Sequence, residues 1–125
     1  DKPKALSEAF RVLSEGGIFI FDDLTKPKPQ VSAQAQKHVY DRLLFDTPFS
    51  FEGYKRELKA HGFVRVQAED LSEHLATSYR KLGEMAAAAT ADGRGDFSAF
   101  VTAYRHMVTA IEDGELGWAS YVCRK

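Results

Sequence analysis

Glu15-Gly16-Gly17-Ile18-Phe19-Ile20-Phe21-Asp22-Asp23, residues 15–23, places this chain in the α/β class. Four successive β-branched and aromatic residues without polar alternation predict a strand buried on both faces, as in the interior of a parallel sheet. The paired glycines ahead of it accept the left-handed geometry at a helix end. Upstream, Ala5, Leu6, Ala9, Phe10 and Leu13 recur at spacings of three and four, which predicts an amphipathic helix over residues 3–15, with Pro3 in its first turn. Downstream, Asp22 and Asp23 are expected just past the strand, ahead of the Lys26-Pro27-Lys28-Pro29 loop.

The rest of the chain continues this alternation. Residues 31–45 read as a second helix, with Ala35, His38, Val39, Arg42 and Leu43 on or near one face. Ser50 suits the N-cap of a helix over residues 51–61 and Gly62 its stop. Residues 63–67 alternate as a half-buried strand. Helical patterns over 71–89 and 97–112 flank a break at 93–96, and a last strand covers residues 118–123. The domain organisation expected is one α/β piece: helix and strand units over residues 1–70, a helical insertion over 71–112 and a final strand over 113–125.

Composition narrows the function. The chain has 125 residues, with 17 basic and 18 acidic side chains spread along it, so it lacks the electrostatic footprint of a nucleic-acid or anionic-membrane binder. No apolar run approaches the length that spans a bilayer, and no secretory pattern marks the first residues. Its single cysteine, Cys123, cannot form an internal disulfide, and a cytoplasmic setting is expected. The four histidines, His38, His61, His74 and His106, lack the spacing of a metal site.

Two readings stand for each polar candidate. Asp22 and Asp23 fall where open α/β sheets place their ligands, and they equally suit the end of a strand and the start of a loop. The Arg42 guanidinium can fork a substrate carboxylate, or pair with an acid on the surface. Tyr79 and Tyr104 fall on apolar faces, where tyrosines serve as core, and Trp118 reads as a core residue whose indole N–H finds one partner.

The run KALSEAFRVLSEGGIFIFDDL resembles the helix, paired-glycine turn and hydrophobic strand of class I S-adenosylmethionine-dependent methyltransferases, with Ser14 and Glu15 where that family often has lysine and proline. FSFEGYKRELKAHGF is similar to that family's helix ending in a glycine–phenylalanine pair ahead of its sixth strand. LSEHLATSYRKL and YRHMVTAIEDGELGWASYVCRK look like the sarcosine and dimethylglycine N-methyltransferase branch.

The resemblance implies the C-terminal half of such an enzyme: a partial Rossmann-like sheet whose last strand runs antiparallel between the other two, with the helical pair as a lid over the acceptor. It further implies S-adenosylmethionine as cofactor, held mainly by an N-terminal half, and a small-molecule acceptor, with methylation of a small amine as the activity. Acceptor-side residues would be Asp22, Asp23, Tyr40, Arg42, His74 and Tyr79. Tyr79 matches a lid tyrosine, whereas Ser78 stands where relatives often have histidine. The family's glycine-rich turn after its first strand has no counterpart here, and Gly93-Arg94-Gly95 lies between helices. The strand at residues 18–21 is therefore expected to keep one bare edge, open to an N-terminal half of the fold or to a second copy. The chain alone is expected to be inactive. The alternative is a non-catalytic fragment that kept the lid as an interaction surface.

Overall fold

The computed structural model describes residues 1–125, which divide into two compact units. The first, a sheet unit, comprises Asp1–Pro27, Thr47–Leu71 and Gly117–Lys125; the second, a helical unit, comprises Lys28–Asp46 and Ser72–Leu116.

In the sheet unit, helix α1 (Lys2–Val12) starts where the Asp1 side chain accepts the Lys4 N–H, and it buries Leu6. Strand β1 (Ile18–Thr25) follows the paired glycines, and helix α3 (Phe51–Ala60) begins at Ser50, whose side chain caps Gly53 N–H. Strands β2 (Val64–Asp70) and β3 (Gly117–Arg124) complete a sheet of order β1-β3-β2, antiparallel throughout. The last strand thus lies between the other two, the arrangement that the resemblance implies. A bulge between Val64 and Gln67 places Arg65 at φ 52°.

β1 departs from its expected character in two ways. It runs four residues further, because β3 is long enough to pair Asp22 with Ser120 and Asp23 with Ala119; the two carboxylates sit in the strand and not after it. It is also covered on one face only. The pleat sends Phe19, Phe21 and Asp23 toward the helices and Ile18 and Ile20 the other way, where they are 48% and 67% exposed. Both helices of the unit pack on the phenylalanine side. Four apolar residues in a row show that both faces can be buried, but not which neighbour covers each.

That covered face holds the core: Leu6, Phe49, Tyr54, Leu58, Phe63, Ala119, Tyr121 and Cys123. Aromatic rings run through it, with Phe10 edge-on to Phe63, Phe63 stacked on Phe19, and Phe21 against both Tyr54 and Tyr121. Gly62 ends α3 at φ +97°, and a Cβ there would meet the Phe10 ring at 2.9 Å, so the turn demands glycine for both backbone and space.

In the helical unit, α2 (Ala33–Ala35) is capped by Ser32 and passes directly into a π-helical stretch, Gln36–Asp41. The regular helix expected over residues 31–45 is therefore wider at its centre. Phe45 N–H bonds the Tyr40 carbonyl five residues back, and the wider turn lets the adjacent residues Val39 and Tyr40 both point inward. Helices α4 (Ser72–Ala91) and α5 (Ser98–Glu112) pack against each other as a hairpin, with Ala76, Met107, Ala110 and Ile111 buried. Arg80 reaches across the hairpin to Glu112 at 2.6 Å. No helix of the molecule is long and apolar enough to cross a membrane.

Candidate acceptor-side residues

Asp22 and Asp23 project from the two faces of β1 in the sheet unit, and each is engaged. Asp22 Oδ1 accepts the indole N–H of Trp118 on β3 at 3.1 Å, the single partner expected for that indole. Asp23 accepts from the Lys2 ammonium on α1 and from the Tyr54 hydroxyl on α3, while its other oxygen takes the Leu24 N–H at 2.9 Å. One carboxylate thereby ties both helices to the strand. Burial, reinforced by the hydrogen bond to Asp23, pushes the Tyr54 phenol well above its ordinary range, so it stays a donor. A cavity of about 220 Å³ lies beside this group, lined by Leu6, Phe19, Phe21, Asp22, Asp23 and Tyr54, among others.

The remaining candidates belong to the helical unit. Tyr40 is buried on the π-helical stretch, its hydroxyl donating to the Glu115 carbonyl at 2.6 Å. Burial first, and the nearby Glu115 charge second, raise its phenol to about 12. Glu115 in turn accepts from both N–H and Oγ of Ser32 at 2.8 Å, which closes α2 onto the turn after α5. Arg42, one residue past the π-helical stretch, donates from Nε to the His38 carbonyl at 3.0 Å and leaves its terminal nitrogens toward solvent. His74 is exposed near the start of α4. Tyr79 is half-buried further along α4; burial raises its phenol, and the positive charge of Arg42 opposes that rise.

Within this unit the structure therefore brings Arg42 and Tyr79 into one electrostatic neighbourhood. Tyr79 packs on Tyr104 with ring centroids 5.7 Å apart. The two tyrosines open onto a groove of about 380 Å³ between α4 and α5, with Arg80, Gly83, Val101 and Arg105 along it. Arg80 is paired with Glu112, while Arg105 forms no ion pair. Two further members of the neighbourhood are paired in a way that the sequence does not signal. His38 and His106 stack face to face at 4.0 Å with an interplanar angle of 3°. His106 is held below its ordinary range by burial first, then by His38, Arg105 and Arg42. Histidines so far apart in the chain give no signal of such a pairing; only the three-dimensional approach of the π-helical stretch to α5 creates it.

No group of three or more histidine, cysteine or acidic side chains converges as a metal site would. Nor does the chain form the glycine cradle that a nucleotide-bearing cofactor takes after a buried strand. The segment after β1 carries no glycine, and Gly17, ahead of it, is packed so that a Cβ would lie 2.8 Å from the Ser14 carbonyl. The residues present do not by themselves fit S-adenosylmethionine.

No family model matches the sequence. Over 127 aligned residues the chain is 30% identical to the glycine/sarcosine/dimethylglycine N-methyltransferase of Actinopolyspora halophila, a match covering 94% of this chain and 22% of that protein. Among solved structures, a protein of Galdieria sulphuraria assigned as a sarcosine dimethylglycine methyltransferase superposes with a TM-score of 0.84 at 21% identity, over 100% of this chain and 48% of the other. The phosphoethanolamine N-methyltransferase 2 of Haemonchus contortus, solved with phosphomonomethylethanolamine and S-adenosylhomocysteine, gives a TM-score of 0.78 at 18% identity over 100% of this chain and 30% of that one. The chain thus spans about a fifth of the curated relative's length and no more than half of either structure. The resemblance stated from the sequence is borne out, and the fold is that of the C-terminal part of the methyltransferases.

Proposed function

From the premise that this chain carries the C-terminal part of a methyltransferase fold, we propose that it is the acceptor-binding portion of an S-adenosylmethionine-dependent enzyme that methylates a small amine. The observation carrying this is the sequence likeness to an N-methyltransferase along nearly the whole chain, helical unit included. S-adenosylmethionine supplies the methyl group when bound; it is held mainly by the remainder of the fold, since the glycine cradle is not on this chain.

The work assigned to this chain is to seat the acceptor. The free end of Arg42 suits a carboxylate or a comparable acid on the amine. Tyr79, kept protonated by burial, supplies a hydroxyl donor beside it. Tyr40 is better suited to holding the π-helical stretch in place, because its hydroxyl is already bonded to Glu115. Asp22 and Asp23, already engaged by Trp118, Lys2 and Tyr54, are proposed to order β1 within the sheet unit, and His74 to be an outer contact from α4. Holding the amine unprotonated and aligned then provides most of the acceleration, because proximity turns a bimolecular displacement into a near-unimolecular one.

β1 pairs only with β3, so its other edge is open, and Ile18 and Ile20 are exposed on the face away from the helices of the unit. We assign that edge to the N-terminal half of the fold, or failing that to a second copy. A cytoplasmic setting accords with the single free cysteine, Cys123, buried in β3, whose thiol burial raises to about 11.

The test is transfer of a labelled methyl group by the full-length protein, or by this chain mixed with a candidate N-terminal half. Acceptors would be glycine, its N-methylated derivatives and phosphoethanolamine. Turnover with at least one of these amines is expected. Failure with every amine, phenol and carboxylate offered would leave the non-catalytic interaction module as the function.

A further inference from the structure

Arg42 is the one proposed acceptor contact whose charge stands free, and its placement depends on a tertiary contact that the acceptor does not touch. Its Nε is bonded to the carbonyl of His38, one turn back on the π-helical stretch, and the His38 ring lies flat on the ring of His106 from α5. Parallel rings 4.0 Å apart make good contact as neutral imidazoles. Two imidazolium ions at that separation repel, and a first proton on the pair opposes a second.

The charged surroundings sharpen the effect. The charges acting on His106 are those of His38 on the π-helical stretch, Arg42 just past it and Arg105 on its own helix, all of them cationic or able to become so. The cavity of about 200 Å³ that His106 lines also carries Asp113 and Glu115, and both oxygens of Glu115 are taken by Ser32. α2 contributes only uncharged groups there, among them Gln34 and Ala35, and α4 contributes none. No carboxylate is among the charged groups that act on His106.

We propose that the stacked His38–His106 pair is an acid-sensitive latch that positions Arg42: neutral, it clamps the π-helical stretch to α5, and protonated, it releases that stretch and weakens acceptor capture. The latch itself stands on the stack, while its effect on the acceptor rests on the function proposed above. His38 and His106 are positioning residues in this scheme and do not touch the reacting atoms. Release is a separation of two packed elements, so it changes the affinity for the acceptor and leaves the chemical step alone.

The decisive measurement is amide hydrogen exchange of the full-length protein at about pH 7.5 and about pH 5.5, corrected for intrinsic exchange, where histidine changes charge. Protection of Gln36–Asp41 is expected to fall roughly tenfold at the lower pH, corresponding to a coupling of about one pK unit. His106→Phe keeps a flat ring without a proton to gain and is expected to abolish that fall; His38→Phe serves the same purpose should the first variant misfold. An equal fall in wild type and variant overturns the latch. In parallel, acceptor KM is expected to rise between the same two pH values in the wild type and not in the variant, with kcat moving alike in both. If protection responds as described and KM does not, the latch stands and its link to the acceptor is overturned. Protection can be read whether or not an acceptor is ever found, so failure of the latch is distinguishable from failure of the proposed enzyme.

Discussion

The sheet unit and the helical unit spend their polar groups in opposite ways. In the first, Asp22 is bonded to Trp118, and Asp23 holds Lys2 and Tyr54 around a ring-filled core. In the second, Arg42 and Arg105 form no ion pair, Tyr79 and Tyr104 border an open groove, and two histidines meet without a carboxylate partner. Groups already satisfied inside a protein stabilise it and have little left to offer a ligand. The contrast accords with the proposed function, in which the sheet unit chiefly carries stability and the helical unit chiefly the acceptor contacts.

The contrast breaks first at the sheet core. Leu58 is fully buried among Leu6, Phe63 and Cys123, and Leu58→Ala is expected to cost about 2–5 kcal/mol in a denaturant titration, with no specific change in acceptor binding at temperatures where the variant is folded. Next comes Asp23→Asn, which leaves Lys2 and Tyr54 with a weaker partner; a loss of about 1–3 kcal/mol in stability is expected. A raised acceptor KM without lost stability would instead make Asp23 a ligand and erase the division of labour. Arg42→Ala should do the reverse, raising acceptor KM about tenfold, the worth of one charge-assisted contact, while leaving the melting temperature unchanged because the side chain is exposed.

The smallest expected effect is on stability against pH. His106 has a folded-state value below its ordinary 6.5, so the unfolded chain binds its proton more readily. Its contribution is complete above about 6.5 and is lost as the pH falls through that value toward the lower folded one. Comparing urea midpoints of wild type and His106→Phe across that window should show the wild type falling more steeply on the acid side. Parallel curves would mean that the helical unit does not feel the pair.

Much of the sheet unit was legible in the residues because its signals are local. Pro3, Ser50 and Gly62 mark boundaries that the structure keeps within a residue or two, whereas α1 stops at Val12, three residues short of the end expected at the paired glycines. The strand order came from the family resemblance and not from the residues, since each strand partner lies far away in sequence. The one-sided burial of β1 was not legible, because Ile18 and Ile20 would read the same under a helix or in water. Among site residues, the spacing of His38 and Arg42 suggested a shared helical face, but a π-helical turn was invisible to a period-of-3.6 search. Tyr40 and Trp118 were visible as aromatic residues with a polar handle, yet which carbonyl or carboxylate each would find depends on elements folded from other parts of the chain.

The central position of β3 has a kinetic side. β1 and β2 make no ladder with each other, so neither is paired until the last of the three strands arrives; Phe19 and Cys123, which meet across that ladder, are 104 residues apart in the chain. Closing so long a loop before any sheet contact rewards it is slow, while the α4–α5 hairpin can zip from its own short turn. During synthesis the hairpin is thus expected to form ahead of the β1-β3-β2 ladder, which waits for residues 117–124 to leave the ribosome.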